Sequence, residues 1–349
     1  MAPSVAIIEE QTESPPQPTP RPSSSVTIEA ASPMKTANPT STSSSPPAII
    51  AADKEKTPLE AISLGDVLPG IPSFPNFVAS RRHILTHMAA TFRGWARWGF
   101  TEGQSGHISV RDPEFPGCMW MNPLSRHFGM LTVGDFLLLE IDAGRIVAGG
   151  KNPTTELRTA NAAGYYIHSA IHRARPDVHA VCHAHTRAGR GWSVFARPLE
   201  MLTQDVCNFH DAHAVYANYG GIVFGSEEGE RIAAALGEKN KAVILMNHGL
   251  LTVGETVDEA GFLFGLLDRS CAIQLDVEAA CAGNPGLKKQ VISDDEAAYN
   301  CRMASEKHAL YREAQADIEL EFELAGGEEV LARGFESLVI DLADRAAEA

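Results

Sequence analysis

The segment VHAVCHAHTRAG (residues 178–189) carries two histidines two positions apart at the end of an apolar run. On a strand, residues i and i+2 share a face and stand roughly 6.6 Å apart along the chain. His183 and His185 can therefore approach one cation from one side. Imidazole suits zinc, iron, manganese or cobalt, and a catalytic site needs about three protein ligands with an open position. LMNHGLL (residues 245–251) offers a third imidazole, His248, at the end of a second buried run. The same pattern also fits two satisfied polar residues where a strand becomes a loop. IHSAIH sets His168 and His172 at i, i+4 on one helix face, but Ser169 stands where the zinc-protease pattern needs Glu. That pair reads as helix packing or as support behind a metal site.

The elements that must position these histidines alternate irregularly. PNFVASRRHILTHMAATFRGWARWG predicts a helix capped by Asn76 and stopped by Gly99, with Ile84, Leu85, Met88, Phe92 and Trp95 at helical spacing. GHISVRD, CMWMNP, DFLLLEI and GRIVAGG read as short strands. A helix follows near 158–175, then the strand VHAVCHAH. PLEMLTQD and AVYANYGGIVFG read as strands or edges, and a helix runs from Ser226 to about Gly237. KAVILMNHG is a buried strand. Thr256 to Glu259 forms a capping box opening a long helix to about Gly283, and a final amphipathic helix spans about 294–326. Without a βαβα rhythm, the pattern favours an α/β fold with three α/β/α layers on a mainly antiparallel central sheet. GETVDEAG and GGIVFG match no phosphate-loop spacing.

The chain has 349 residues, 44% of them hydrophobic, enough for a sizeable core. The first 60 hold 11 of the 21 prolines and no aromatic residue, so 1–62 reads as a disordered Pro/Ser-rich arm. Residues 63–285 read as the folded domain and 286–349 as an acidic helical tail. The formal net charge is −15, and residues 313–349 carry eleven acids against two arginines. No Lys/Arg stripe appears, which argues against nucleic acid or anionic membrane as partners. The six cysteines show no C-x-x-C and read as reduced thiols. MAPSVAIIEE lacks the features of a secretory signal, and no apolar run reaches membrane-spanning length, so the expected location is cytoplasmic.

GHIS (106–109), ARPDVHAVCHAH (174–185) and LMNHGLLTVGETVDEA (245–260), in that order, resemble the class II aldolase/adducin N-terminal domain family over roughly residues 78–285. The resemblance implies a class II aldolase-like domain in a homotetramer with sites near subunit interfaces. It implies a divalent metal on His183, His185 and His248, zinc first, with iron or manganese as alternatives. It implies a small carbonyl substrate whose C–C bond breaks or forms. In the family's sugar-phosphate aldolases a Glu acid/base stands nineteen residues before the first paired histidine, and here that position is Gly164. The nearest upstream carboxylate is Glu156, a catalytic candidate if a local insertion shifts the interval.

The aldolases' phosphate-binding positions also differ. His107, Leu124 with Ser125, and Ala162 with Ala163 stand there, which disfavours a sugar-phosphate substrate. NAAGYYIHSAIHRARPDV looks more like the adducin branch, whose heads act as actin and cytoskeletal modules. The Lys-rich adducin tail has no counterpart, since 326–349 contain no lysine. The same branch resembles decarboxylases and an iron-dependent oxygenase type acting on aromatic 2-oxo acids. The function expected is a metal-dependent lyase on a small non-phosphorylated carbonyl or 2-oxo acid. The alternatives are an adducin-like binding module and a non-haem iron oxygenase. His107, in the turn where the aldolases touch substrate, is a candidate to pair with a carboxylate or move a proton. Asp205, with Gln204, is a candidate to orient a ligand or reach a neighbouring site. His210 and His213 read as loop residues, and Tyr219 as a packing residue.

Overall fold

Alternating side chains on eight short strands give the sheet two apolar faces, and helices cover both. A computed structural model describes residues 56–221, 225–338 and 340. The strands are β1 (Gly106–Arg111), β2 (Cys118–Met121), β3 (Leu137–Glu140), β4 (Ile146–Gly149), β5 (Ala180–Ala184), β6 (His213–Tyr216), β7 (Ala242–Leu245) and β8 (Gly249–Gly254). They form one sheet in the order β4-β3-β2-β1-β5-β8-β7-β6. Every pairing is antiparallel except β6 with β7. The helices are α1 (Pro58–Ile62), α2 (Phe77–Arg97), α3 (Ala162–Ala174), α4 (Arg187–Ser193), α5 (Ser226–Leu236), α6 (Val257–Gly283), α7 (Asp294–Ala304), α8 (Lys307–Ala325) and α9 (Glu328–Leu331).

Period-two alternation along β5 sorts the layers. Ala180, Cys182 and Ala184 join the main core with Phe92 and Trp95 of α2, Phe264 and Leu267 of α6, and Ile318 of α8. Val181 faces the other way, with Ile167 and Ile171 of α3, Ile232 of α5, and Val243 and Leu251. The expected three layers on a mainly antiparallel sheet are present, and β5 lies at the sheet's centre, between β1 and β8.

Local chemistry sets the helix boundaries. The Asn76 side chain accepts from Ala79 N and opens α2. Asn161 accepts from Gly164 N, so α3 begins at Ala162, later than the pattern from 158 predicts. Two expectations are corrected. PLEMLTQD forms no strand, because side chains take its amides: Leu199 N donates to His213 Nε2 (3.0 Å) and Glu200 N to Gln274 Oε1 (3.1 Å). The helix expected over 294–326 is two helices. Ser305 Oγ bonds Asn208 (3.1 Å to the carbonyl), and the Glu306 carboxylate accepts from His308 N and Ala309 N to open α8. Of the segment expected as a disordered arm, 1–55 lie outside the described residues. Thr57 and Glu60 form a capping box on α1.

Helix α2 is fixed to the sheet by a buried ion pair. Arg81 Nε and Nη2 donate to the two Asp112 carboxylate oxygens (2.7 and 2.8 Å), and Trp120 Nε1 donates to Asp112 as well (2.7 Å). Burial opposes ionisation of Asp112, yet the Arg81 and Trp120 donors hold its carboxyl below the usual range. Removing Asp112 leaves the buried Arg81 with only the partly exposed Glu114 carboxylate (2.8 Å) and takes the acceptor from Trp120 Nε1. Asp112→Ala is expected to lower unfolding free energy by about 3–5 kcal/mol in urea denaturation. A loss below about 1 kcal/mol, the scale of an exposed pair, would contradict this role.

Candidate metal centre

The strand register brings the histidines together. His183 is the last inward-facing residue of β5, 1% exposed, and sits opposite His107 of β1 and Leu251 of β8. His185 follows where the strand ends. His248 closes the β7–β8 loop of Met246, Asn247 and His248, with Asn247 in the left-handed region (φ 55°) that Asn tolerates better than most residues. Gly249 lets this loop approach β5, since a Cβ there would lie 2.8 Å from the Ala184 carbonyl oxygen.

One ring nitrogen from each of His183, His185 and His248 lies within 4.8 Å of the others. The rings are steeply inclined, with centroids 4.7–5.1 Å apart. His183 Nδ1 donates to the Leu250 carbonyl oxygen (2.9 Å), which fixes the tautomer and leaves Nε2 with its lone pair. Burial, reinforced by neighbouring histidines, pushes His183 well below its ordinary pKa, and burial with His248 lowers His185 to about 4. Burial lowers His248 too. Three neutral imidazoles converging on one point are a donor set suited to a divalent transition metal.

The cluster opens on a cavity of about 400 Å³ lined also by His107, Gly164, Arg190, Tyr219 and Asn247. His107 is 5% exposed, nearly stacked on His183 (5.7 Å between centroids), and both its ring nitrogens lack a protein partner. Burial pushes it down to about 3, so it is neutral. Behind it, Ser109 Oγ bridges His168 Nδ1 and His172 Nε2 (2.8 Å each), so this pair buttresses the sheet as the helical spacing suggested.

Two sequence departures meet in space. A Cβ at Gly164 would lie 2.7 Å from the His107 ring and 2.7 Å from Met121 Cε. His107 thus occupies the volume that a side chain at 164 would need. Glu156 is exposed on a loop with φ 58° and is not among the cavity-lining residues. Asp205, with Gln204 and Asn300, lines a separate cavity of about 210 Å³. His213 lies at the start of β6, donates to the Phe209 carbonyl oxygen (2.7 Å) and accepts from Leu199 N. Tyr219, expected to pack, is 56% exposed and borders the cavity. Arg190 escaped the sequence reading. Its only signal is TRAGRG directly after the paired histidines, a short helix capped by Thr186 that turns Arg190 toward the cavity.

Comparison with known proteins follows this geometry. Residues 86–275 match the model for the class II aldolase and adducin N-terminal domain. The chain is 42% identical over 215 residues to a 4-hydroxy-3-prenylphenylpyruvate oxygenase/4-hydroxy-3-prenylbenzoate synthase of Streptomyces roseochromogenus subsp. oscitans, covering 61% of this chain and 75% of that one. It is 42% identical over 210 residues to decarboxylase NovR of Streptomyces niveus, covering 60% and 75%. The structure resembles an L-fuculose 1-phosphate aldolase from Glaciozyma antarctica with a TM-score of 0.66 and 36% identity, covering 73% of this chain and 95% of that one.

The depressed histidines carry a pH dependence. A folded pKa near 3–4 against an unfolded value of about 6.5 means that the unfolded chain binds more protons between those limits. Their contribution to stability is complete above about pH 6.5 and is lost as pH falls toward 4. The urea midpoint of chelator-treated protein is therefore expected to be lower at pH 5 than at pH 7. Equal midpoints would contradict the neutral state of these residues.

Proposed function

The chain belongs to the class II aldolase and adducin N-terminal domain family, and we propose that it is a metal-dependent carbon–carbon lyase acting on a small, non-phosphorylated 2-oxo acid or related carbonyl compound. The observation that carries this reading is the convergence of three neutral imidazoles on one wall of a cavity of about 400 Å³. His183, His185 and His248 would hold a divalent cation, zinc first. When bound, the cation polarises the substrate carbonyl and stabilises negative charge developing beside it. The homotetramer implied by family membership is part of this proposal.

The chain's own residues would do the rest. Among the described residues that line the cavity, Arg190 is the only fixed positive charge, and its guanidinium matches a carboxylate through paired N–H donors. In the free protein Arg190 Nη2 donates to exposed Glu102 (2.6 Å), a contact that a substrate carboxylate can replace. His107 offers an unpartnered N–H and an unpartnered ring nitrogen to a bound molecule. The bond broken joins the carbon next to the ketone to its substituent, and the electron pair stays on that carbon. If the substituent is carboxylate, CO₂ leaves and the cleavage itself needs no base. That suits a site with Gly164 and His107 where family aldolases place a Glu. His107 is positioned to guide a proton to the carbon afterwards.

A second reading, a non-haem iron oxygenase, is favoured by the relative named as an oxygenase/synthase. A non-catalytic adducin-like module is the third, and it assigns no role to the unpartnered His107 nitrogens.

The test incubates zinc-, iron- and manganese-loaded protein with a panel of 2-oxo acids that bear a carboxylate or a carbinol one carbon beyond the ketone. CO₂ or aldehyde release that stops with chelator and returns with metal is expected. Oxygen consumption matching substrate loss would replace the lyase by the oxygenase, and no turnover with any metal would contradict both. Arg190→Ala is expected to raise KM about tenfold or more while changing kcat less, since an ordinary charge-assisted contact is worth about 1.5–3 kcal/mol. An unchanged KM would remove Arg190 from the substrate site.

A further inference from the structure

On the opposite face of the sheet, helices α2, α6 and α8 bury a second group of metal-ligand type. His83 and His87 stand at i, i+4 on α2, their ring centroids 3.7 Å apart. Asp258 comes from the first turn of α6 and is 2% exposed. One ligand atom from each of the three lies within 4.8 Å of the others, the same convergence that the first cluster shows. His87 Nδ1 contacts Asp258 Oδ1 (2.5 Å), and Gln315 Nε2 of α8 donates to the same oxygen (2.9 Å). Tyr311 of α8 places its hydroxyl 3.4 Å from His83 Nε2.

Charge makes this cluster unusual. Among the described residues no Lys or Arg pairs with the Asp258 carboxylate, whose ion-pair partner is the imidazole of His87. A buried carboxylate is costly unless a cation or a set of donors compensates it. Two imidazoles spaced one helical turn apart, with a carboxylate from a second helix, supply that compensation when they share a divalent metal.

We infer that His83, His87 and Asp258 form a second divalent-metal site, separate from the three-histidine cluster, that ties α2 to α6 beneath α8. Its surroundings decide its role. Of the three residues only Asp258 borders the adjoining cavity, which measures about 20 Å³, room for about one water and not for an organic substrate. The site is structural: two helices are cross-linked through the metal, and Gln315 and Tyr311 link the cluster to the third helix. This inference does not rest on the proposed lyase activity.

The test counts metal in the full chain. Chelator-treated protein is reloaded with zinc alone, desalted and analysed for zinc per chain, beside the His183→Ala/His185→Ala variant. That double variant is expected to keep one zinc per chain, which raises its Tm, and to lose both the zinc and the Tm increase when His83→Gln is added. His83 is only partly buried, so Gln keeps a polar side chain there with little disturbance. A double variant that folds and binds no zinc overturns the inference and leaves a hydrogen-bonded network only. Wild-type stoichiometry then reports separately on the first cluster. Should the triple variant fail to fold by circular dichroism, the cobalt(II)-loaded double variant decides. Visible bands of imidazole-ligated cobalt support the site, and a blank spectrum overturns it.

Discussion

The hydrogen bond from His183 Nδ1 to the Leu250 carbonyl oxygen is the contact on which the site depends. It spans the β5–β8 pairing, so it exists only if the central strands are in register. It orients the ring, selects the tautomer, and leaves Nε2 with a lone pair that can serve as a ligand beside His185 and His248. A one-residue slip of β5 would turn His183 into the opposite core and replace it with an alanine or a cysteine. The large apolar layers on both faces therefore do more than stabilise the domain. They fix the register, and the register builds the cluster.

The same register sets what faces the cluster. Strand β1 places His107 directly opposite His183, and α3 passes over both at Gly164. Gly164 and His107, which the resemblance sets against the family's Glu and phosphate-binding Asn, lie far apart in sequence yet form a single packed contact. The buried His107 imidazole fills the space that a side chain at 164 would need. Both its ring nitrogens are left without a protein partner beside the three-histidine cluster.

Local features were the most legible in the sequence. The H-x-H pair and His248 follow from a short motif at a strand end, and α2 and α6 from their caps and apolar spacing. Features that depend on distant partners were less so. Nothing local marks Gly164 and His107 as neighbours, because 57 positions separate them and a helix-on-sheet contact joins them. PLEMLTQD has strand-like alternation, but His213 and Gln274 take its amides. The break at Ser305–Glu306 was readable as a capping signal, yet the amphipathic periodicity on either side masked it. Helix α8 and its partners also show why an acidic segment can pack: Glu313, Glu319 and Glu323 are exposed, buried Glu321 pairs with Arg97 of α2 (2.6 Å), and Leu310, Ala314 and Ile318 reach the core side.

The central claim is that three imidazoles share one metal ion. The most direct measurement is anomalous diffraction at the zinc, iron and manganese edges, from crystals of protein purified without a chelator or a polyhistidine tag. The account predicts an anomalous peak within bonding distance of one ring nitrogen each of His183, His185 and His248, at about 2.0–2.1 Å for zinc. Clean density for the three rings with no anomalous peak between them, in crystals soaked with each metal, would contradict it.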